Sequence, residues 1–238
     1  MRLVTWNCKM AFRNKAVDVL SFSPDIIIIP ECENPAKLAK KPNDLLSECL
    51  WFGNNPNKGI AIFGLNGYKL SLREEYNEED KWIVPIRVEG KNSFTLCAVW
   101  ACNCPSDRKL SYIGQVYRAF NVYYGKILEE DNIIIAGDFN SNKIWDNWQR
   151  IGNHSAVVNM FEKYGIKSAY HEFMLEEQGK ESLPTYYTYH NESKPFHIDY
   201  CFASRNWIAR LQSVSVGEYE DWHILSDHSP MIFDFICS

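Results

Sequence analysis

Polar groups able to act on a charged substrate recur beside apolar runs along this chain. Asn7 follows "LVTW", Glu31 follows "DIIIIP", and Asp138 and Asn140 follow "IIIAG". His197 and Asp199 head "HIDYCF", and Asp227 and His228 stand together in "LSDHSPMIFDF" before the last apolar run. The set holds carboxylates, amides and histidine, with no Gly-x-Ser-x-Gly nucleophile motif and no glycine-rich phosphate loop in the sequence. Carboxylate and amide oxygens are hard ligands, suited to Mg2+ or Mn2+ rather than zinc. A divalent ion on a lone acid such as Glu31 could polarise a phosphoryl oxygen. Asp138 could accept a proton from an attacking water, and a histidine oriented by a carboxylate could donate to the phosphate. The inventory suits hydrolysis of a phosphate ester. Each member also has a plainer reading: Asn7 as a turn residue, Glu31 as a solvated strand end with Glu33 as a rival, Asp138-Phe139-Asn140 as an Asx turn, and "SDHSP" as a capped turn.

Rigid strands must end where these groups stand if the groups are to converge. Leu3 to Trp6 reads as a short strand, followed by a helical stretch from Lys15 to Phe22. "DIIIIPE" and "NIIIAGD" are continuous β-branched runs, the pattern of strands buried on both faces. "GIAIFG", "YKLSLR", "KWIVPIRVE" and "FTLCAVWA" follow one another with turn-like spacers, which predicts an antiparallel meander with Pro85 on an edge or at a bulge. Leu110 to Leu128 has the period of a long amphipathic helix, with Ile113, Val116, Phe120, Tyr123 or Tyr124, and Ile127 on its inner face. A helix from His154 to Tyr164 and strands at "PTYYTY", "HIDYCFAS", "RLQSVSVG" and "PMIFDFI" complete the pattern. Without a linker or composition break, residues 1–238 read as one α+β domain of two packed sheets carrying helices outside.

Composition narrows the function classes. With 46% hydrophobic and 14% aromatic residues the 238-residue chain can bury a large core. A net charge of −5 argues against a surface built throughout for nucleic acid, though a local basic face is compatible with it. The eight cysteines form no Cys-x-x-Cys and no zinc-spaced set, and Cys102-Asn103-Cys104 is the one close pair. Buried free thiols in a reducing cytosol explain it better than a redox or metal element. No apolar run is long enough for a membrane span. The expectation is a cytoplasmic, monomeric protein with no membrane contact and no obligate protein partner.

Five motifs, "TWN", "PE", "GDFN", "HIDY" and "SDHSP", stand in an order and approximate spacing that resembles the endonuclease/exonuclease/phosphatase superfamily, the group of exonuclease III, apurinic endonucleases and deoxyribonuclease-I-like enzymes. The resemblance runs from Val4 to about Phe233. It implies a four-layer αββα sandwich of two mainly antiparallel sheets flanked by helices, with metal and phosphate at one end of the sheets. It makes Glu31 the principal metal ligand and Asn7 the amide that holds the catalytic aspartate and supports the metal. Asp138 then orients or deprotonates the water, and Asn140 contacts the phosphate. His228 stabilises the scissile phosphate with Asp199 holding its imidazole, and Asp227 lies near the metal directly or through water. His197 stays structural.

The family tyrosine that often follows the strand matching "FTLCAVWA" is replaced by "ACNCPSD", with Asn103 at its place and Tyr112 as a nearby substitute. Arg108, Lys109, Arg118, Lys143 and Arg150 offer a basic face, and Trp145, Trp148, Tyr186 and Tyr187 offer rings for stacking. Asn153 with His154 could reach the phosphate or cap a helix. The reading is a Mg2+- or Mn2+-dependent phosphodiesterase acting on nucleic acid, a nuclease cutting DNA or RNA by in-line water attack. A phosphomonoesterase or small-molecule phosphodiesterase on the same scaffold is the alternative, ahead of a binding protein without turnover.

Overall fold

The computed structural model describes residues 1–41, 44–146 and 151–237. Trp148 and Arg150 therefore lie outside the described residues. The described residues form fourteen strands: β1 (Arg2–Thr5), β2 (Ile26–Cys32), β3 (Cys49–Asn55), β4 (Lys58–Gly64), β5 (Lys69–Leu72), β6 (Ile83–Glu89), β7 (Phe94–Trp100), β8 (Ile133–Asp138), β9 (Lys167–Ser168), β10 (Tyr186–Tyr187), β11 (Pro195–Phe196), β12 (Asp199–Ala203), β13 (Leu211–Val216) and β14 (Met231–Phe235). The isoleucine runs show why two sheets must stack. Side chains alternate along a strand, so Ile26 and Ile28 of β2 enter the core between the sheets while Ile27 and Ile29 pack outward under the helical layer. β8 repeats this, with Ile134 and Ala136 inside and Ile133 and Ile135 outside. Each fully buried isoleucine contributes roughly 1.5–3 kcal/mol of transfer free energy, and exposing either face would forfeit it. Three apolar cores therefore separate four layers, as the resemblance implies.

One sheet has the order β13-β14-β1-β2-β4-β3 and the other β5-β6-β7-β8-β12-β9. Each contains a single parallel pair, β1 with β2 and β7 with β8, flanked by antiparallel neighbours. A parallel pair ends its two strands on the same edge, and an antiparallel neighbour begins there. The C-terminal ends of β1, β2, β7 and β8 and the N-terminal ends of β12 and β14 thus lie along one rim. Every motif that resembles the family falls on that rim.

The expected meander is split between sheets: β4 pairs with β2 and β3, while β5, β6 and β7 run consecutively in the other sheet. Pro85 is not on an edge strand, since β6 lies between β5 and β7. It is tolerated because Arg73 N–H donates to the Pro85 carbonyl just past the end of β5, the side to which the proline nitrogen also points. The long helix predicted from Leu110 to Leu128 is broken. Arg108–Leu110 is 3-10, Ile113–Arg118 is α-helical, Ala119–Tyr123 forms a π turn and Gly125–Glu129 is again 3-10. The expected inner face is nonetheless buried, and the extra residue of the π turn selects Tyr124, whose hydroxyl accepts from Asn77 N–H at 3.0 Å. No described helix is long and apolar enough to cross a membrane.

Candidate active site

Asp138 sits at the end of β8, where it has no solvent exposure. Gly137 before it has φ 142°, and a Cβ there would come 1.9 Å from the Val99 carbonyl oxygen, so the two parallel strands can approach this closely only at glycine. Three donors hold the carboxylate. Asn7 Nδ2 and Asn140 Nδ2 donate to Oδ2 at 3.0 and 2.9 Å, and the Asn140 backbone N–H donates to Oδ1 at 2.8 Å. Asn140 is in the left-handed region (φ 46°), which folds its amide back onto Asp138 while it also donates to the Ala101 carbonyl. A carboxylate accepts at about four lone-pair positions, so one remains for a substrate water.

Across the β8–β12 ladder Asp138 pairs in register with Asp199. Asp199 is buried, and Thr185 Oγ1 accepts from its N–H at 3.1 Å. Its Oδ2 meets His228 Nδ1 at 2.9 Å, while Oδ1 is buried without a hydrogen-bond partner. His228 is placed by its backbone: Trp6 Nε1 donates to its carbonyl at 2.8 Å, and its N–H donates to Ser226 Oγ, which itself donates to the Asn7 carbonyl. The Tyr186 ring lies 4.8 Å from the imidazole. Burial raises the Asp138 pKa to about 7, helped by the Asp199 charge and opposed by His228, the Asn7 amide and the Asn140 N–H. Burial alone would lower His228, but the charge and hydrogen bond of Asp199, with Asp138 and Asp227, carry it to about 9. The ligand atoms of Asp138, Asp199 and His228 all lie within 4.8 Å of one another, a set able to hold a metal ion.

Glu31 is the extra residue of a β-bulge. Pro30 pairs with Ile60 and Cys32 with Gly59, and Glu31 between them has φ 61°. The bulge re-aims its side chain, which forms a 3.0 Å ion pair with Lys58. Asp227 forms one of 3.0 Å with Lys9. Burial works against the Asp227 charge, yet neighbouring His228 and Lys9 hold its pKa below the ordinary carboxylate value. The rival Glu33 is almost wholly buried, accepting from the Phe12 and Arg13 N–H groups and the Arg13 guanidinium, so it anchors a loop.

A cavity of about 200 Å³ beside Asn140 is lined by Tyr112, Ile113, Asn140, Ser141, Trp145, Asn153 and His154. It gathers three of the five expected substrate contacts. Tyr112 reaches it through a left-handed backbone (φ 54°, ψ −121°), Trp145 packs on Phe196, and Asn153 caps the helix His154–Glu162 by accepting from Ala156 N–H at 2.8 Å. Asn103 does not line this cavity. Its Oδ1 accepts from Ser111 Oγ, which closes its own loop. Arg118 does not line it either: its guanidinium grips buried Asp80 at 2.6–3.2 Å and donates to the Glu79 carbonyl, so packing consumes it. His197 is structural, donating to the Leu183 carbonyl. A larger groove of about 1080 Å³ near Val17 and Lys69 contains no residue of the site. Lys9, Lys58 and Thr185 carry no sequence signal of their own, whereas Ser226 stands inside "SDHSP" next to Asp227.

No curated protein matches the chain in sequence. Among solved structures it is similar to an AP endonuclease from Archaeoglobus fulgidus (TM-score 0.68, 17% identity, 99% of each chain covered). It is also similar to the 3' phosphatase NExo from Neisseria bound to a product DNA hairpin (TM-score 0.66, 17% identity, 99% of each chain). The catalytic domain of Xenopus laevis APE2 superimposes comparably (TM-score 0.66, 16% identity, 100% of this chain and 92% of that one). These likenesses show the shared α+β sandwich. The model of the Endonuclease/Exonuclease/phosphatase family matches residues 4–228, and the chain belongs to that family of hydrolytic phosphoesterases.

Proposed function

We propose that the protein is a divalent-metal-dependent nuclease that hydrolyses phosphodiester bonds at the rim, with residues 1–238 acting as one catalytic unit. The observation that carries this reading is the buried Asp138–Asp199–His228 cluster, with Asp138 clamped by Asn7 and Asn140. Asp138, raised to about 7, is poised as a general base near neutral pH. It takes a proton from the attacking water, while the Asn7 and Asn140 amides fix its orientation. His228, kept cationic through Nδ1 by Asp199, offers Nε2–H to a phosphate oxygen as negative charge grows in the transition state. Water oxygen bonds to phosphorus as the opposite ester oxygen leaves.

The donor set fits a hard divalent ion, Mg2+ or Mn2+, because Glu31, Asp227 and Asn7 offer two carboxylates and an amide oxygen, none of them a soft ligand. Glu31, with the Asp227 carboxylate and the Asn7 amide, would hold the ion. When bound, the ion supplies polarisation of a phosphoryl oxygen. The cavity lined by Tyr112, Trp145 and Asn153 has the size of one sugar or base and opens beside Asn140, which supports a nucleotide polymer as substrate. Two of the similar structures are named for action on nucleic acid or its ends.

A second reading, removal of a terminal or small phosphomonoester, is favoured by one observation: Arg118, the expected basic contact, is committed to Asp80. A panel of abasic, single- and double-stranded DNA, RNA and small phosphate esters with Mg2+ or Mn2+, using Asp138→Ala as blank, tests the first reading. Cleavage of a polymer that disappears in the variant supports it, with activity falling steeply as salt rises. Turnover of small esters alone, indifferent to salt, would transfer the assignment to the phosphatase.

A further inference from the structure

Two carboxylates of the site are met by lysines, and Lys9 is the more elaborately placed. Its backbone N–H donates to Asn7 Oδ1 at 3.1 Å, so the amide that holds Asp138 also holds Lys9. Lys9, Met10 and Ala11 have φ of 51°, 67° and 53°, three successive non-glycine residues in the left-handed region. L residues enter that region at a cost, and runs of them persist only where the surroundings enforce them. Here the Phe12 and Arg13 N–H groups are pinned by buried Glu33 immediately after the run.

The strained run delivers Lys9 Nζ to a point 3.0 Å from Asp227 Oδ2 and 2.7 Å from His190 Nε2. His190 Nδ1 lies 2.8 Å from the His223 carbonyl oxygen, which can only accept, so Nδ1 carries the hydrogen and Nε2 turns its lone pair to Lys9. Tyr189 and His190 are themselves left-handed (φ 58° and 54°), which aims this ring back at the site. An imidazole lone pair and a carboxylate oxygen therefore converge on one cation. Without the lysine they form a pair suited to a first-row divalent metal.

The surrounding charges point the same way. Lys15 Nζ, held by the Cys8 carbonyl, acts with Lys9 on Asp227, so this acid already faces two cations before any metal arrives.

We propose that Lys9 is a resident cation of the active centre: its ammonium fills the Asp227–His190 pair, closes that pair to a second divalent ion and supplies the second positive charge beside the phosphate. This rests on the reading of Glu31 as the metal-holding residue. Counting Mn2+ bound to the full chain without substrate, by calorimetry and by electron paramagnetic resonance, tests it. Wild type binds a single Mn2+, and Lys9→Met, similar in length but uncharged, binds two. Lys9→Arg keeps the charge and binds a single ion, and Lys9→Met combined with His190→Gln returns to one. An unchanged count in a folded Lys9→Met protein overturns the proposal, as does a wild type that binds two and loses one with His190→Gln. Glu31→Gln separates the two claims: if it leaves the wild-type ion in place, the Glu31 reading falls, while the Lys9 count is judged by its own variants.

Discussion

Replacing Asp199 with asparagine keeps the shape of the group that holds His228 and removes its charge. Burial disfavours the imidazolium, but Asp199 supplies the largest opposing contributions, through its charge and its 2.9 Å hydrogen bond. The net rise from 6.5 to about 9 corresponds to roughly 3 kcal/mol in favour of the cation. The same carboxylate is the second cause, after burial, of the rise of Asp138 to about 7. The proposed mechanism needs Asp138 ionised and His228 protonated, so it predicts that kcat/KM rises with pH through about 7 and falls through about 9, a bell. Asp199→Asn moves both limbs toward acid, the alkaline one by roughly two pH units, because losing the anion makes the imidazolium easier to deprotonate. Asn7→Ala acts differently. It removes a hydrogen bond that lowers Asp138, so only the acid limb moves, and it moves upward. The assays are pH profiles of kcat/KM on the best phosphodiester and NMR titration of the His228 ring in the free protein. An alkaline limb that stays near 9 in Asp199→Asn would refute the claim that Asp199 sets the charge of His228.

Arg118→Ala leaves Asp80 buried without its partner, which should lower unfolding stability in urea by about 3 kcal/mol while KM for an oligonucleotide stays unchanged. A large rise in KM at unaltered stability would restore Arg118 as a substrate contact. Gly137→Ala forces a Cβ to 1.9 Å from the Val99 carbonyl oxygen and should cost more than about 3 kcal/mol as β7 and β8 separate. A variant melting with the wild type would show that the strands can part cheaply.

The strands that build the site were legible because their chemistry is redundant. Ile26–Ile29 and Ile133–Ile135 could satisfy both faces only between two packed layers, and the motif residues stood at their ends. Pairing partners were not legible. Nothing in "GIAIFG" distinguishes a strand that joins β2 from one that continues into β5, because the apolar alternation is the same in both sheets. β3 was missed since "CLWFGNN" lies on an edge and has half-buried rather than alternating residues. The helix at 110–128 failed for another reason. Its inner-face period is real, but the left-handed Tyr112 and the π turn at 119–123 reset the phase, and backbone irregularity leaves no trace in a hydrophobic count. Arg118 shows the limit for charges: a basic residue on a helix reads the same whether it faces substrate or a buried aspartate such as Asp80.

Asp227 and His228 show how adjacent residues come to serve different parts of one site. In a strand, neighbours would point to opposite faces, and one of the pair would be lost to the core or the helical layer. They instead precede β14 in a turn held at several points. Ser226 Oγ accepts from His228 N–H and Tyr187 N–H donates to the Asp227 carbonyl, while Ser229 N–H donates to the Thr185 carbonyl. The turn sends His228 inward to Asp199 on the second sheet and Asp227 outward to Lys9 beside β1 of its own sheet. Thr185 closes the circuit, since its hydroxyl fixes the N–H of Asp199 and its carbonyl fixes Ser229. The acid that holds His228 and the turn that carries His228 thus share one anchor, the buried Thr185. The 2.9 Å Asp199–His228 bond and the 3.0 Å Asn7–Asp138 bond join the two sheets at the same rim, so the cluster spans them without a covalent tie.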